Sequence, residues 1–150
     1  MNSSRLLDEK GREIIKILQE DARVSFNELA RRTGISSPAA ADRVRKLEKA
    51  GIITGYRAVV DPLKVGYSVM AFIRLNSSAA CLAQADDIAR ALPEVLECHH
   101  LTGSDGVMLK VVVKSVSELE TIVTKFAGCG ISTTSIALSS PISGRVIVPA

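Results

Sequence analysis

Residues 26–56 read FNELARRTGISSPAAADRVRKLEKAGIITGY, and the spacing within this stretch decides the N-terminal fold. Phe26, Leu29 and Ala30 fall at i, i+3 and i+4, which is one face of a helix. Gly34 follows where a sharp turn needs a residue that tolerates positive φ, and Ile35 is placed to plug the angle between two helices. Ser36 is a strong N-cap for the next helix, Pro38 suits its first turn, and Ala40, Val44 and Leu47 repeat at i, i+4 and i+7. That helix has a narrow apolar stripe and a wide polar face. Gly51 closes it as a C′ glycine, and Ile52 to Tyr56 is expected to turn back as a β segment. Upstream, Leu7, Ile14, Ile15 and Leu18 mark a further helix over roughly residues 6–20. Three helices and a wing make a winged helix-turn-helix, a unit that places one helix in the major groove of double-stranded DNA.

Helix pairs of this kind also occur in proteins that never meet nucleic acid, and charge is what separates the two cases. Residues 1–60 hold 12 Lys/Arg against 8 Asp/Glu, a net of +4, whereas residues 61–150 hold 7 against 8, a net of −1. The basic excess lies wholly with the half that holds the helix pair, as an electrostatic footprint on phosphate requires.

With 150 residues and 47% hydrophobic content the chain can build two small cores. No run approaches the roughly 20 apolar residues of a membrane helix. The start MNSSRLLDEKGRE lacks the apolar core of a signal peptide, so a cytoplasmic protein with no membrane partner is expected. Cys81, Cys98 and Cys129 are an odd set without C-x-x-C spacing, which argues against a disulfide framework and a zinc site and for free, mostly buried thiols. No metal and no cofactor are expected.

Asp61-Pro62 and Gly66 interrupt the pattern and read as a linker, giving a DNA-binding domain over 1–60, a linker over 61–66 and a second domain over 67–150. From Tyr67 the chain alternates, with Tyr67, Val69, Ala71, Ile73 and Leu75 on one face and Ser68, Met70, Phe72 and Arg74 on the other, as a strand does. Leu82, Ala85, Ile88, Ala89 and Leu92 then recur at helical spacing up to Pro93. Two apolar stretches, Val95–Leu101 and Val107–Val113, join around Gly103-Ser104-Asp105-Gly106, a hairpin signal. Ser115 and Glu118 form a capping box for a helix bearing Leu119, Ile122, Val123 and Phe126, and a last strand spans Ile131–Leu138. This order, βαββαβ, is that of a ferredoxin-like α+β sandwich. Two helices cover one sheet face. The other carries Met70 and Phe72, Leu96 and Cys98, or Met108 and Val112, depending on strand phase, so the domain is expected to form a homodimer through its sheet. Ile142 to Val148 is a candidate extra strand across that interface.

The chain closely resembles the Lrp/AsnC, or feast/famine, transcriptional regulators. The resemblance is carried by Leu7-Asp8, Ala22-Arg23, Glu28-Leu29-Ala30, Gly34-Ile35-Ser36, Arg43-Val44, Leu47-Glu48, Gly51-Ile52-Ile53 and Gly55-Tyr56 in the first half. In the second half it rests on Glu94-Val95, Cys98 and the turn Thr102-Gly103, which are similar to the family's amino-acid-sensing domain. The resemblance implies a homodimer that assembles further, often to an octamer. It also implies an amino acid effector held near Thr102, Gly103, Ser104, Asp105 and Gly106 at contacts between dimers. Many members carry an acidic residue where this chain has Gly106, with Asp105 one position earlier. Asp105 either meets an α-amino group or serves the hairpin as an ordinary turn residue.

Helix geometry selects the side chains that can reach DNA. With Ala40, Val44 and Leu47 inward, Ser37, Pro38, Ala41, Asp42 and Arg45 face the groove and Lys46 lies near phosphates. Arg45 can bridge guanine O6 and N7 or clamp a phosphate, and Ser36 and Ser37 at the helix N-terminus suit a phosphate. Asp42 either accepts from a cytosine amino group or pairs with Arg45 or Lys46. Arg31, Arg32 and Arg57 are phosphate contacts or solvated.

Enzyme chemistry finds no support. His99 and His100 are adjacent and point to opposite faces of a strand, and no nucleophile elbow, P-loop or dinucleotide fingerprint is present. Two alternatives to an effector-controlled regulator stay open: an architectural protein that wraps DNA with little sequence preference, and an amino-acid-binding module without specific DNA binding.

Overall fold

The computed structural model describes residues 6–103 and 106–148. These form two compact units, one of described residues up to Val59 together with those from Ile142 onward, the other running from Val60 to Pro141.

In the first unit each helix start is set by a polar cap. The Asp8 carboxylate accepts from the Gly11 N–H at 2.8 Å ahead of α1 (Glu9–Glu20), and the Ser25 hydroxyl accepts from the Glu28 N–H ahead of α2 (Phe26–Thr33). Ser36 does the same for α3 (Ser37–Lys49), accepting from the Ala39 N–H at 3.4 Å. Gly34 sits at φ 68, a left-handed turn that lets the Ile35 N–H reach back to the Ala30 carbonyl at 3.1 Å. At the far end of α3 the Gly51 and Ile52 N–H groups return to the Glu48 and Leu47 carbonyls at 2.9 and 3.0 Å, a Schellman closure. Ile14, Ile17, Leu29, Ala30, Ala40, Val44 and Leu47 are buried together, with Ile35 half-buried against them. Each large aliphatic side chain so buried contributes roughly 1.5–3 kcal/mol.

The second unit follows the expected order: β1 (Val69–Asn76), α4 (Leu82–Ala91), β2 (Val95–His100), β3 (Val107–Val113), α5 (Val116–Lys125) and β4 (Ile131–Ile136). Its sheet is antiparallel, ordered β2-β3-β1-β4, so β2 and β4 are the edges. Ala71, Ile73, Leu75, Val107, Leu109, Val111 and Val113 face Ala85 and Ala89 of α4 and Leu119 and Ile122 of α5 in one core. The Ser115 hydroxyl caps α5 through the Glu118 N–H, while the Glu118 carboxylate accepts from the Lys114 N–H at 2.8 Å. Cross-strand register settles the phase of the open face: Met70 lies opposite Val112 and Arg74 opposite Met108. A bulge between Val95 and Glu97 shifts the phase of β2, so Cys98 pairs with the core residue Leu109 and Glu97 with Lys110 on the open side. Met70, Phe72, Met108 and Val112 are therefore apolar residues of that face, whereas Cys98 falls in register with the core side.

Three expectations are modified. Residues 54–60 carry no regular secondary structure, because their backbone N–H groups find no backbone acceptor among the described residues and a strand needs a ladder partner. Residues 142–148 likewise form no strand and join the first unit instead. The three thiols are free, yet Cys129 alone is buried, Cys81 being half-buried and Cys98 exposed on the edge strand.

Candidate DNA interface and effector turn

The outward side of α3 is built by the inward burial of Ala40, Val44 and Leu47, which leaves Pro38, Asp42, Arg45 and Lys46 exposed and Ser37 and Ala41 half-buried. Ser36 is exposed as well, with its hydroxyl engaged as the cap. Asp42 and Lys46 form an i,i+4 ion pair at 2.6 Å, and this pairing holds the Asp42 carboxyl below the usual aspartate range. Arg45 donates through Nε to the Ala41 carbonyl at 3.3 Å and reaches no carboxylate among the described residues.

Several other cations of this unit are paired. Arg31 grips Glu28 with two bonds of 2.7 Å, and Arg32 adds a third at 2.8 Å. These hydrogen bonds, Arg31's first, pull the Glu28 carboxyl down to about 2. Arg43 reaches across to Asp8, Nη1 to Oδ1 at 2.7 Å and Nη2 to Oδ2 at 2.9 Å. The Tyr56 hydroxyl donates to Glu48 Oε1 at 2.9 Å, and burial together with that carboxylate pushes the phenol up to about 12. The Asp8–Arg43 and Tyr56–Glu48 pairs are not visible in the sequence spacing, although all four residues are among those carrying the family resemblance. Their presence in one recurring set was the signal available.

In the second unit the β2–β3 hairpin closes through the Leu101 N–H and the Gly106 carbonyl at 3.0 Å. Thr102 and Gly103 are exposed, Gly103 at φ 101, while Ser104 and Asp105 lie outside the described residues. A Cβ on Gly106 would stand 3.0 Å from the Ser77 carbonyl oxygen, so an acidic residue at this position would require that backbone to give way. The adjacent histidines serve opposite faces: His99 meets Glu97 at 3.2 Å and His100 meets Asp86 at 2.8 Å.

Residues 7–54 match the family described as winged helix-turn-helix DNA-binding, and residues 68–147 match the Lrp/AsnC ligand binding domain. The chain belongs to the Lrp/AsnC family. Its Lrp/AsnC relatives include the HTH-type transcriptional regulator YezC of Bacillus subtilis, 40% identical over 134 residues that cover 89% of this chain and 95% of that protein. The proline dehydrogenase transcriptional activator of Rhodobacter capsulatus is 36% identical over 120 residues, 78% of each chain. Among solved structures, Escherichia coli AsnC aligns with a TM-score of 0.85 at 33% identity, covering 95% of this chain and 99% of that one. A Neisseria meningitidis transcriptional regulator in complex with L-methionine aligns with a TM-score of 0.88 at 26% identity, covering 94% and 96%. The Lrp/AsnC proteins are transcriptional regulators rather than enzymes, and this chain is a DNA-binding regulator with a ligand-binding domain of that type. No helix among its described residues is long and apolar enough to cross a membrane.

Proposed function

We propose that this Lrp/AsnC regulator reads specific duplex DNA through the outward face of α3 and that a free amino acid tunes its assembly or DNA affinity. Arg45 reaches base edges, Ser36 and Ser37 meet a phosphate at the helix N-terminus, and Lys46 contacts a neighbouring phosphate. Pro38, Ala41 and Asp42 line the contact between them. The observation that carries this reading is that Arg45, on the outward side of α3, is exposed with no carboxylate partner among the described residues, while Arg31, Arg32, Arg43 and Lys46 are each paired. A free guanidinium costs no broken ion pair when it docks.

The effector site is the hairpin turn of Thr102, Gly103, Ser104, Asp105 and Gly106, where glycines permit close backbone approach to a small zwitterion. Support for an amino acid comes from the neighbour bound to L-methionine and from the relative named for activating proline dehydrogenase. The open sheet face, with Phe72 and Met70 half-buried and Val112 beside them, supports a homodimer that assembles further, to an octamer. Selection of bound duplexes from a random pool tests the reading. It predicts a recurrent, pseudo-palindromic sequence with half-sites one helical turn or a small multiple apart, whereas a pool that stays random after repeated rounds would leave only sequence-independent wrapping.

A further inference from the structure

We infer that residues 142–148 are a strap by which the end of the ligand-binding domain latches onto the DNA-binding unit, with Gln19 as the catch. The family match to the ligand-binding domain runs to residue 147, yet in space the chain from Ile142 belongs with α1, α2 and α3. The strap is thus ligand-domain sequence lodged in the reader. Its grip is specific in geometry. The Gln19 Nε2 donates to the Ile147 carbonyl at 2.8 Å, and the Ile147 N–H donates to Gln19 Oε1 at 2.8 Å. One primary amide carries one acceptor and an in-plane donor, so it satisfies both polar groups of a single backbone residue as a neighbouring strand would.

Around this catch lies an apolar groove of about 590 Å³, lined by Leu7, Ile15, Leu18, Ile52, Tyr56 and Ile147 among others. Ile147 is 76% exposed, and it is its backbone that Gln19 holds. Val146 is half-buried beside it. The same α1 buries Ile14 and Ile17 against the Ala40, Val44 and Leu47 stripe of α3. A strap docked on α1 therefore pulls on the helix that supports the DNA-reading one. The occupant is the chain's own strap, because the residues that follow Pro141 are the segment seated there. As a route of regulation this rests on the reading that the ligand-binding domain governs DNA binding.

The test uses the full chain with Gln19→Leu, which keeps bulk near the groove and removes both hydrogen bonds. Amide exchange at Ile147 is expected to be at least tenfold faster in the variant than in the wild type, with α4 and β3 unchanged. Equal rates, or an Ile147 amide already unprotected in the wild type, would overturn the latch; the wild-type reading stands even if the variant misfolds. Affinity for mixed-sequence duplex is expected to change at least threefold in Gln19→Leu, and an unchanged affinity would overturn the link to α3. Joining Gln19→Cys to Ile147→Cys with a short bismaleimide, in a chain whose three native cysteines are serine, is expected to give a monomer-sized product. A dimer-sized product would assign the groove to a second copy and overturn the own-strap reading. None of these readouts involves an effector, so a chain that answers no amino acid would sink the sensing role and leave the strap standing.

Discussion

Asp8 and Arg43, 35 positions apart, meet in a two-pronged ion pair, and the Asp8 oxygen that receives Arg43 Nη1 at 2.7 Å also receives the Gly11 N–H at 2.8 Å. One carboxylate thus caps α1 and ties it to α3. Arg43 first, then the Gly11 N–H, holds the Asp8 carboxyl below its ordinary value.

Asp8→Ala is expected to cost about 1 kcal/mol for the lost cap, with the half-exposed pair adding no more than about 1 kcal/mol. A double-mutant cycle with Arg43→Ala separates the two. Chemical denaturation should show Arg43→Ala losing little further stability once Asp8 is gone, and full additivity would mean that the pair does not couple the helices.

Acid should loosen α2 before it unfolds the core. Glu28 titrates at about 2 in the folded chain against 4.5 ordinarily, so its contribution is complete above pH 4.5 and is lost as pH falls from 4.5 through 2. Asp8 acts with the same sign. A carbon-13 titration of the Glu28 carboxyl checks this; a midpoint near 4.5 would show that Arg31 and Arg32 do not hold it in solution.

On DNA, Arg45→Ala is expected to cost roughly 1–3 kcal/mol and to relax preference at one base pair, while Lys46→Ala should weaken all sequences alike and reduce the salt slope by about 1. Losing Lys46 also strips Asp42 of its partner at the groove face. Asp42→Asn is therefore expected to tighten binding, and competition titrations against cognate and scrambled duplexes would reveal any reversal of these ranks.

Two glycines should differ when replaced by alanine. Gly34, at φ 68 with open space around a Cβ, should lose about 1–2 kcal/mol from backbone strain alone. Gly130, at φ 128, would set its Cβ 2.1 Å from the Asn76 carbonyl oxygen, a backbone atom that cannot step aside. Thermal unfolding should therefore show the larger drop for Gly130→Ala. Equal drops would mean that β4 shifts freely against the end of β1.

If the chain pairs through its open sheet face as proposed, Phe72→Asp is expected to give a folded monomer, since Phe72 lies outside the core. Sedimentation that still reports dimer would move the interface elsewhere.

Local features were legible in the sequence wherever a few neighbouring residues decide them. Caps at Ser36 and Ser115, the left-handed Gly34 and the Asp42–Lys46 pair all follow from spacing within one helical turn or its edge. Contacts that depend on distant chain were not. Asp8 and Arg43 read as isolated surface charges until two helices pack, and the phase of β2 was hidden because the bulge after Val95 breaks its alternation. The Gln19 catch had no signal, because an amide bonds the backbone of any residue. In the candidate site, the exposure of Arg45 could be read from the inward stripe of α3, whereas its lack of a carboxylate partner emerged only when the surrounding charges were placed.

Whether an amino acid governs how this regulator holds DNA is measured by titrating the protein onto a selected duplex with each of the twenty amino acids at millimolar concentration. Coupling of about 1–3 kcal/mol appears as a shift of roughly 5–150-fold in the dissociation constant. Such a shift, or a change of assembly size by light scattering, is expected for at least one amino acid, together with its loss in Asp105→Ala. If all twenty leave both the affinity and the assembly of the wild type unchanged, the chain does not sense amino acids and its hairpin turn is only a turn.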